Sequence, residues 1–479
     1  MKLTQKVLLA AGAMLGASFA EAQTPPNIVL FFIDDLGYGD LGVTGATGYS
    51  TPNIDRLGRE GMFFSQFYSA QAVSSASRAG LLTGCYPNRI GFSGALSPNQ
   101  TVGIHPDEET IAEVLKKSGY ACGIVGKWHL GHLHQFLPLQ NGFDDYLGLP
   151  YSNDMWPVDY AGNPVTEASN LPNKLAWPVL PLINGNSRAR EIRTLGDQAE
   201  LTTMYAERAV QFVRNHSKEP FFLYVAHSMP HVPLAVSDKF KGKSKHGLFG
   251  DVIMEIDWSV EQIMAALREE GLDNNTLVIF TSDNGPWINF GNHAGSTAGM
   301  REGKGTSFEG GQRVACLMRW PGVIPAGTVC NSLASAIDIL PTLAAATQSP
   351  LPSRRIDGVS LMPLMKAEPG AAPRKSFYYY YEKNDLEAVR NERFKLVLPH
   401  EHRVYLAPAN NGYPGPTARA RVELSLFDLY RDPGERYDVK DMYPEIVESL
   451  LQIAEEARAD LGDNLTGRPG ANRRPIGGL

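Results

Sequence analysis

Residues Ile28 to Gly42 read IVLFFIDDLGYGDLG: an unbroken apolar run, then two adjacent aspartates, then glycines. An apolar run without polar alternation reads as a strand buried on both faces, the texture of a mostly parallel sheet. Phe221 to Val225 and Leu277 to Phe280 have the same character. Helical periods lie between these runs. Ile111, Val114 and Leu115 share one face of a segment ending at Gly119, and Leu201, Met204, Tyr205, Phe212 and Val213 repeat the pattern before Pro220. Alternating β and α elements predict a layered α/β domain. Near Leu361 the texture changes. Phe377 to Tyr381, Phe394 to Leu398 and Leu424 to Leu429 read as short antiparallel strands joined by polar, Pro/Gly-rich connections. A smaller C-terminal subdomain is expected, closing with a helix that starts at Pro444 and turns Val447, Leu450, Leu451, Ala454 and Leu461 inward.

The amino terminus bounds where the chain works. Lys2 and Lys6 precede an apolar run from Val7 to Phe19, and Ala20, Glu21 and Ala22 form an A-x-A cleavage pattern, which reads as a secretory signal peptide over residues 1–22. No cysteine at the cleavage site signals a lipid anchor. No later stretch approaches the roughly 20 apolar residues that spanning a bilayer requires. A periplasmic or secreted location is therefore expected. The net charge of −7 is spread among interspersed acids and bases, which offers no stripe for nucleic acid and no polybasic membrane patch. Cys85, Cys122, Cys316 and Cys330 are too few for a disulfide scaffold, although an oxidising compartment permits one or two bridges, in any of three pairings.

In an open α/β sheet, ligands gather outside the carboxyl ends of strands. The first apolar strand delivers Asp34 and Asp35 there, and the run Leu277 to Phe280 leads into Ser282, Asp283, Asn284 and Gly285. Carboxylates and an amide oxygen suit a hard cation such as calcium, which takes six to eight oxygens. Taken alone, the Asp pair is better explained as a solvated or helix-capping pair; read together, the two strand ends make one site. A further segment, AVSSASRAGLLTG from Ala72 to Gly84, places small residues and Arg78 ahead of a short helical turn. Its serines alone read as a helix cap.

That segment resembles the signature of the sulfatase family: Cys or Ser, any residue, Pro or Ala, Ser, Arg, then a short apolar stretch ending in Thr and Gly. Ser74, Ala76, Ser77, Arg78, Thr83 and Gly84 fit it position by position. The resemblance implies that Ser74, rather than Ser75, is oxidised to formylglycine (3-oxoalanine). Further blocks follow in family order. GKWHLG (Gly126 to Gly131) carries Lys127 and His129; PYSND (Pro150 to Asp154), similar to the arylsulfatase A branch, carries Ser152; PHVP (Pro230 to Pro233) carries His231; GKGTSFEGGQR (Gly303 to Arg313) carries Lys304; and FDLYRDPGE (Phe427 to Glu435) resembles the C-terminal subdomain. Ala76 in place of the commoner Pro, together with a serine start, implies maturation by a bacterial radical-type enzyme. Cys85 stands where many members carry Arg.

The resemblance further implies an alkaline-phosphatase-like fold: a large mixed, mostly parallel sheet with helices on both faces, over 23–365, and a small α+β subdomain with a short antiparallel sheet, over 366–479. It implies one Ca2+ held by Asp34, Asp35, Asp283, Asn284 and the modified Ser74. Catalysis falls to Ser74, Arg78, Lys127, His129, His231, Lys304 and Asp283, and substrate binding to Lys127, Ser152, His231 and Lys304. Singly, each histidine reads as a structural one and each lysine sooner as a solvated charge; their co-occurrence in family order is what marks them. The expected substrate is a sulfate ester, on a saccharide, since an exported enzyme meets such polymers first. Two other functions remain open from sequence: a phosphate-ester or phosphonate hydrolase of the same fold, and a non-catalytic, lectin-like binder retaining an unmodified Ser74. The loops Tyr151 to Asn186 and Pro399 to Thr417 are candidates for a sugar-binding mouth.

Overall fold

The computed structural model describes residues 24–169 and 171–478; the expected signal peptide lies outside them. Eleven strands form one mixed sheet: β1 (Asn27–Ile33), β2 (Met62–Tyr68), β3 (Ala121–Gly126), β4 (Asp145–Gly148), β5 (Leu180–Asn184), β6 (Ser187–Ile192), β7 (Phe221–Ala226), β8 (Thr276–Ser282), β9 (Arg313–Arg319), β10 (Thr328–Cys330) and β11 (Ala334–Ser335). Their order is β10-β2-β9-β8-β1-β7-β3-β4-β5-β6, with β11 also on β2. The centre, β8-β1-β7-β3-β4, is wholly parallel, while β9, β5 and β6 join it antiparallel.

The unbroken apolar run of β1 is explained by its two faces. Ile28, Leu30 and Phe32 enter one core with the helices Ser74–Thr83, Ile111–Lys116 and Ile339–Thr347. Val29, Phe31 and Ile33 enter the other with Pro52–Arg59, Leu201–Asn215 and Gly247–Glu269. All six side chains are fully buried, each contributing about 1.5–3 kcal/mol of apolar transfer. Helices therefore cover both faces, as expected.

The C-terminal region holds two antiparallel sheets rather than one. β12 (Phe377–Tyr381), β13 (Asp385–Arg390), β14 (Phe394–Val397) and β17 (Ser425–Asp428) form a four-stranded sheet in that order, and β15 (His400–Tyr405) pairs with β16 (Thr417–Val422) as a separate ribbon. The helix Pro444–Leu461 starts where expected, but its inward face differs. Leu450, Ala454, Ala457 and Leu461 are buried at spacings of four, three and four, which puts Leu451 about 100° off that line and in solvent. Val447 is only partly buried. The permitted disulfides are absent, since all four cysteines are buried and free. Cys316 and Cys330 both pair with Phe64, from opposite sides of β2. One intervening strand thus separates them by about 9–10 Å, beyond bridging range. Among the described residues no helix is long and apolar enough to cross a membrane.

Candidate active site

Four adjacent parallel strands end on one edge and supply most of the site. β1 and β8 run in register to Ile33 and Ser282, so Asp34 and Asp283 emerge side by side, tied by Asp283 N–H donating to Ile33 O at 3.0 Å. Asp35 and Asn284 follow. β3 leads into Lys127 and His129, and β7 leads through a short loop to His231. Asp35 and His129 hold positive φ of 62° each, a conformation that non-glycine residues keep only where their surroundings enforce it.

The helix Ser74–Thr83 brings the hydroxyl, and every residue in it is buried. Neither serine caps it, because its N-cap is Val73, without a side-chain cap bond. The two hydroxyls diverge instead. Ser75 Oγ accepts from Leu96 N–H at 2.9 Å, whereas Ser74 Oγ lies 3.2 Å from Asp34 Oδ1 and 3.2 Å from Lys127 Nζ. Arg78, one turn on and so on the same face, donates to Asp283 Oδ2 at 2.8 Å and to Lys127 O at 3.1 Å, with Asp34 at 3.6 Å.

Two lysines complete the charge balance. Lys127 Nζ contacts Asp34 Oδ2 at 2.5 Å and Ser152 Oγ at 3.2 Å. Lys304 Nζ sits 2.7 and 2.9 Å from the two oxygens of Asp35, and 4.7 Å above the Trp287 ring. The loop carrying Lys304 is clamped from the C-terminal region. Lys395 Nζ donates to Ser307 O at 2.7 Å and pairs with Glu435 at 2.8 Å, and Glu435 accepts Glu309 N–H at 2.7 Å. That is the structural role of Glu435 in the FDLYRDPGE block.

Electrostatics follow from burial and crowding. Burial alone would raise the Asp34 carboxyl, but Lys127, His231, Arg78 and Lys304 hold it well below the ordinary range. Asp283 is pushed up to about 7 by burial and by the neighbouring Asp34 charge, despite Arg78 and Lys127. Burial and Lys127 drive His129 well below 6.5; it bonds Leu96 O through Nε2 at 2.8 Å, and its Nδ1 has no partner. Burial and Lys304 also lower His231, whose Nδ1 bonds Val232 O at 2.6 Å and whose Nε2 stands 3.7 Å from Asp35 Oδ2.

The residues fit a hard cation. Ligand atoms of Asp34, Asp35 and His231 lie within 4.8 Å of one another, and Asp283 and Asn284 adjoin them. Asn284 donates through Nδ2 to Asp35 Oδ1 at 2.7 Å, which leaves its buried Oδ1 without a partner. An orphaned amide oxygen beside three carboxylates is an oxygen donor set of the kind calcium prefers. Three carboxylates face three cations, so the protein groups are formally neutral. A divalent ion held there would make the pocket attractive to an anionic ester.

Every residue expected from sequence is brought to this one place. Sequence reasoning passed over others that line the same cleft of about 260 Å3, namely Asp154, Met155, Trp287, Tyr381 and Arg403. Asp154 and Met155 fall in one loop singled out as a sugar mouth, and Arg403 in the other. Trp287 and Tyr381 carried no local signal.

A buried hydroxyl between a carboxylate and an ammonium, with clustered acids, two lysines, an arginine and two histidines, defines a hydrolase of anionic esters. Residues 26–349 match the family model described as Sulfatase, 303–404 match N-sulphoglucosamine sulphohydrolase, C-terminal, and 372–475 match C-terminal region of aryl-sulfatase. The chain is 39% identical to arylsulfatase A of Bos taurus over 457 residues, covering 92% of this chain and 88% of that protein. It is 38% identical to N-acetylgalactosamine-6-sulfatase of Mus musculus over 495 residues, covering 98% and 92%. Among solved structures, the PsFucS1 sulfatase from Pseudoalteromonas sp. superposes with a TM-score of 0.81 at 27% identity, covering 95% of this chain and 92% of that one. The chain belongs to the sulfatase family and is a sulfuric ester hydrolase.

Proposed function

We propose that the chain is an exported, calcium-dependent sulfatase that cleaves a sulfate ester on a saccharide, with the hydrated formylglycine of Ser74 as nucleophile. One observation carries this reading: of two adjacent serines, Ser74 alone turns its hydroxyl between Asp34 and Lys127, while Ser75 is spent on Leu96 N–H. Export rests on Lys2, Lys6 and the apolar run to Phe19; the chain divides into a catalytic 23–365 and a C-terminal 366–479. A transient maturation enzyme of the radical type converts Ser74 before folding closes over it, since the whole helix start is buried.

The residues divide the work. An unmodified serine would leave a stable sulfate ester on the enzyme; a geminal diol avoids that, because one hydroxyl attacks sulfur and the other later expels sulfate. Arg78 orients the diol from one turn along the helix. Asp34, Asp35, Asp283 and Asn284 would hold the calcium, which when bound would lower the proton affinity of the attacking hydroxyl, and Asp283 takes that proton as the bond to sulfur forms. Lys127 and Lys304 receive the charge that grows on the sulfate oxygens, and Ser152 fixes Lys127. His231, which must be protonated at Nε2 in the substrate complex against its lowered pKa, gives that proton to the departing alkoxide as the ester S–O bond breaks. His129, kept neutral by burial and Lys127, takes the proton of the second hydroxyl, so that the C–O bond to sulfate breaks and the aldehyde returns. The cleft of about 260 Å3 lies at the small end of ligand sites, which suits the sulfate and the ring bearing it.

The test compares 4-nitrophenyl sulfate with 4-nitrophenyl phosphate, before and after chelation and with calcium restored. Sulfate release that chelation abolishes and calcium restores is expected. Preference for the phosphate ester would instead favour the phosphatase reading.

A further inference from the structure

The cleft contains a cation that the sulfate chemistry does not use. Arg403 lies on β15, near the middle of the β15–β16 ribbon, and lines the cleft together with Ser74, His231 and Lys304. Among the described residues it has no ion-pair partner. Its neighbours are the phenols of Tyr405 and Tyr381, and the nearby Glu382 is engaged by Arg419 at 3.0 Å. A half-buried guanidinium without a carboxylate is an uncompensated charge, and Arg presents paired N–H donors suited to planar or tetrahedral oxyanions.

The backbone makes room for it. Gly305, directly after Lys304, has φ +78°, and a Cβ there would fall 2.9 Å from Arg403 Nη1 and 3.0 Å from Tyr381 Oη. The guanidinium therefore rests against the backbone of the loop that carries Lys304. Opposite in character, Asp154 lines the same cleft, buried, with Oδ1 unpartnered. A buried carboxylate oxygen without a donor suits a substrate hydroxyl, and Trp287 supplies an apolar ring face at the same opening. Lys127 and Lys304 are each paired to an aspartate, whereas Arg403 is not, so the cleft offers a separate seat for negative charge beside the sulfate seat.

Resting on the sulfatase reading above, we propose that Arg403 is a specificity residue that binds a second anionic group of the substrate. That group is a carboxylate or a further sulfate, on the sugar bearing the scissile ester or on the ring joined to it. Asp154 receives a hydroxyl of the same sugar. The enzyme therefore prefers multiply anionic saccharides over singly sulfated neutral ones.

The experiment uses the mature calcium-loaded enzyme and its Arg403→Gln and Arg403→Lys variants, with melting curves to establish folding. Substrates are a singly sulfated hexosamine, the same hexosamine carrying a second sulfate, and a sulfated disaccharide with a neighbouring uronate; 4-nitrophenyl sulfate reports the basic chemistry. The quantity read is the ratio of kcat/KM on each doubly anionic sugar to that on the singly sulfated one. Arg403→Gln is expected to lower that ratio about 10- to 100-fold, chiefly through KM, with partial recovery in Arg403→Lys. A fall with the second sulfate, with the uronate, or with both identifies the anion and supports the proposal. It is overturned by an unchanged ratio on both, by equal losses on all sugars, or by a wild-type enzyme that prefers the singly sulfated sugar. Inactivity of wild type on 4-nitrophenyl sulfate and every sugar sulfate would instead strike the sulfatase mechanism itself.

Discussion

Lys127→Met removes a cation while keeping much of its volume, and the structure sets the size of the effect. Lys127 is fully buried and touches Asp34, Ser74 and Ser152 at once, so its charge is fixed before substrate arrives. Loss of one preorganised stabiliser of transition-state charge costs about 2.7–4 kcal/mol, or about 10²–10³ in kcat. Stability should suffer less. Asp34 keeps Arg78 at 3.6 Å as a second cation, so its charge is not left alone, and the loss stays below the roughly 3–5 kcal/mol typical of breaking a buried pair. Unfolding entropy of about 2.1 cal/mol/K per residue makes a degree worth roughly 1 kcal/mol in a chain of this length, so Tm should drop by about 3 °C or less. Steady-state hydrolysis of 4-nitrophenyl sulfate at saturating calcium, alongside a thermal melt, measures both quantities. A folded Lys127→Met enzyme retaining more than a fifth of wild-type kcat would refute the placement of Lys127 on the sulfate.

Ser75→Ala should keep activity and lose about 1–3 kcal/mol of stability, because Leu96 N–H loses its acceptor, whereas Ser74→Ala should lose turnover entirely; parallel melts and rates separate the two. Asp283→Asn should weaken calcium binding at least tenfold, read by titration calorimetry, since one charged donor leaves a crowded oxygen set; unchanged affinity would remove Asp283 from the metal site. Gly305→Ala should destabilise the fold by at least about 1–2 kcal/mol, through its left-handed φ and a new Cβ 2.9 Å from Arg403 Nη1, checked by denaturant melts. A pH effect arises behind the cleft wall, among groups that take no part in the chemistry. Burial pushes Glu387 from 4.5 up to about 8, and its Oε2 lies 3.4 Å from His400 Nε2, while burial lowers His400 from 6.5 to about 4. The Glu387 contribution is full below pH 4.5 and is lost as pH rises through 8, whereas the His400 contribution is lost as pH falls from 6.5 to 4. Stability should therefore decline by at most about 2 kcal/mol between pH 6.5 and 8. Glu387→Gln should flatten that decline, and an equally steep profile in the variant would contradict it.

Local pattern was enough to read the sheet, whereas the candidate site residues were read from the resemblance of short blocks to the sulfatase family. β1 declares itself because both of its faces are covered, so nothing polar interrupts it, and polar residues at the ends of β1 and β8 mark the edge where the candidate site assembles. The blocks around Ser74, Lys127, His231 and Lys304 are compact, and each brings its residue to the same edge of the sheet. The specificity wall was less legible. Arg403 reaches the cleft only because the β15–β16 ribbon folds back over the Lys304 loop, and no local period encodes that return. Tyr381 ends a run of aromatics and Trp287 stands alone in a polar loop, so their place at the opening depends on tertiary packing. Leu451 was misassigned for a simpler reason: at the edge of a helical stripe, one residue's rotation decides between core and solvent. The cysteines show the converse, since compartment chemistry permitted a Cys316–Cys330 bridge that strand spacing forbids.

The central claim is that position 74 carries an aldehyde in the working enzyme. Mass spectrometry of the tryptic peptide Glu60–Arg78, from protein made in its native host and assayed for sulfate release, tests it directly. The account predicts a peptide two hydrogens lighter than the encoded sequence, or its hydrate, with the change localised to Ser74 and its fraction tracking activity. Fully active protein whose peptide retains an intact serine at 74 would contradict it.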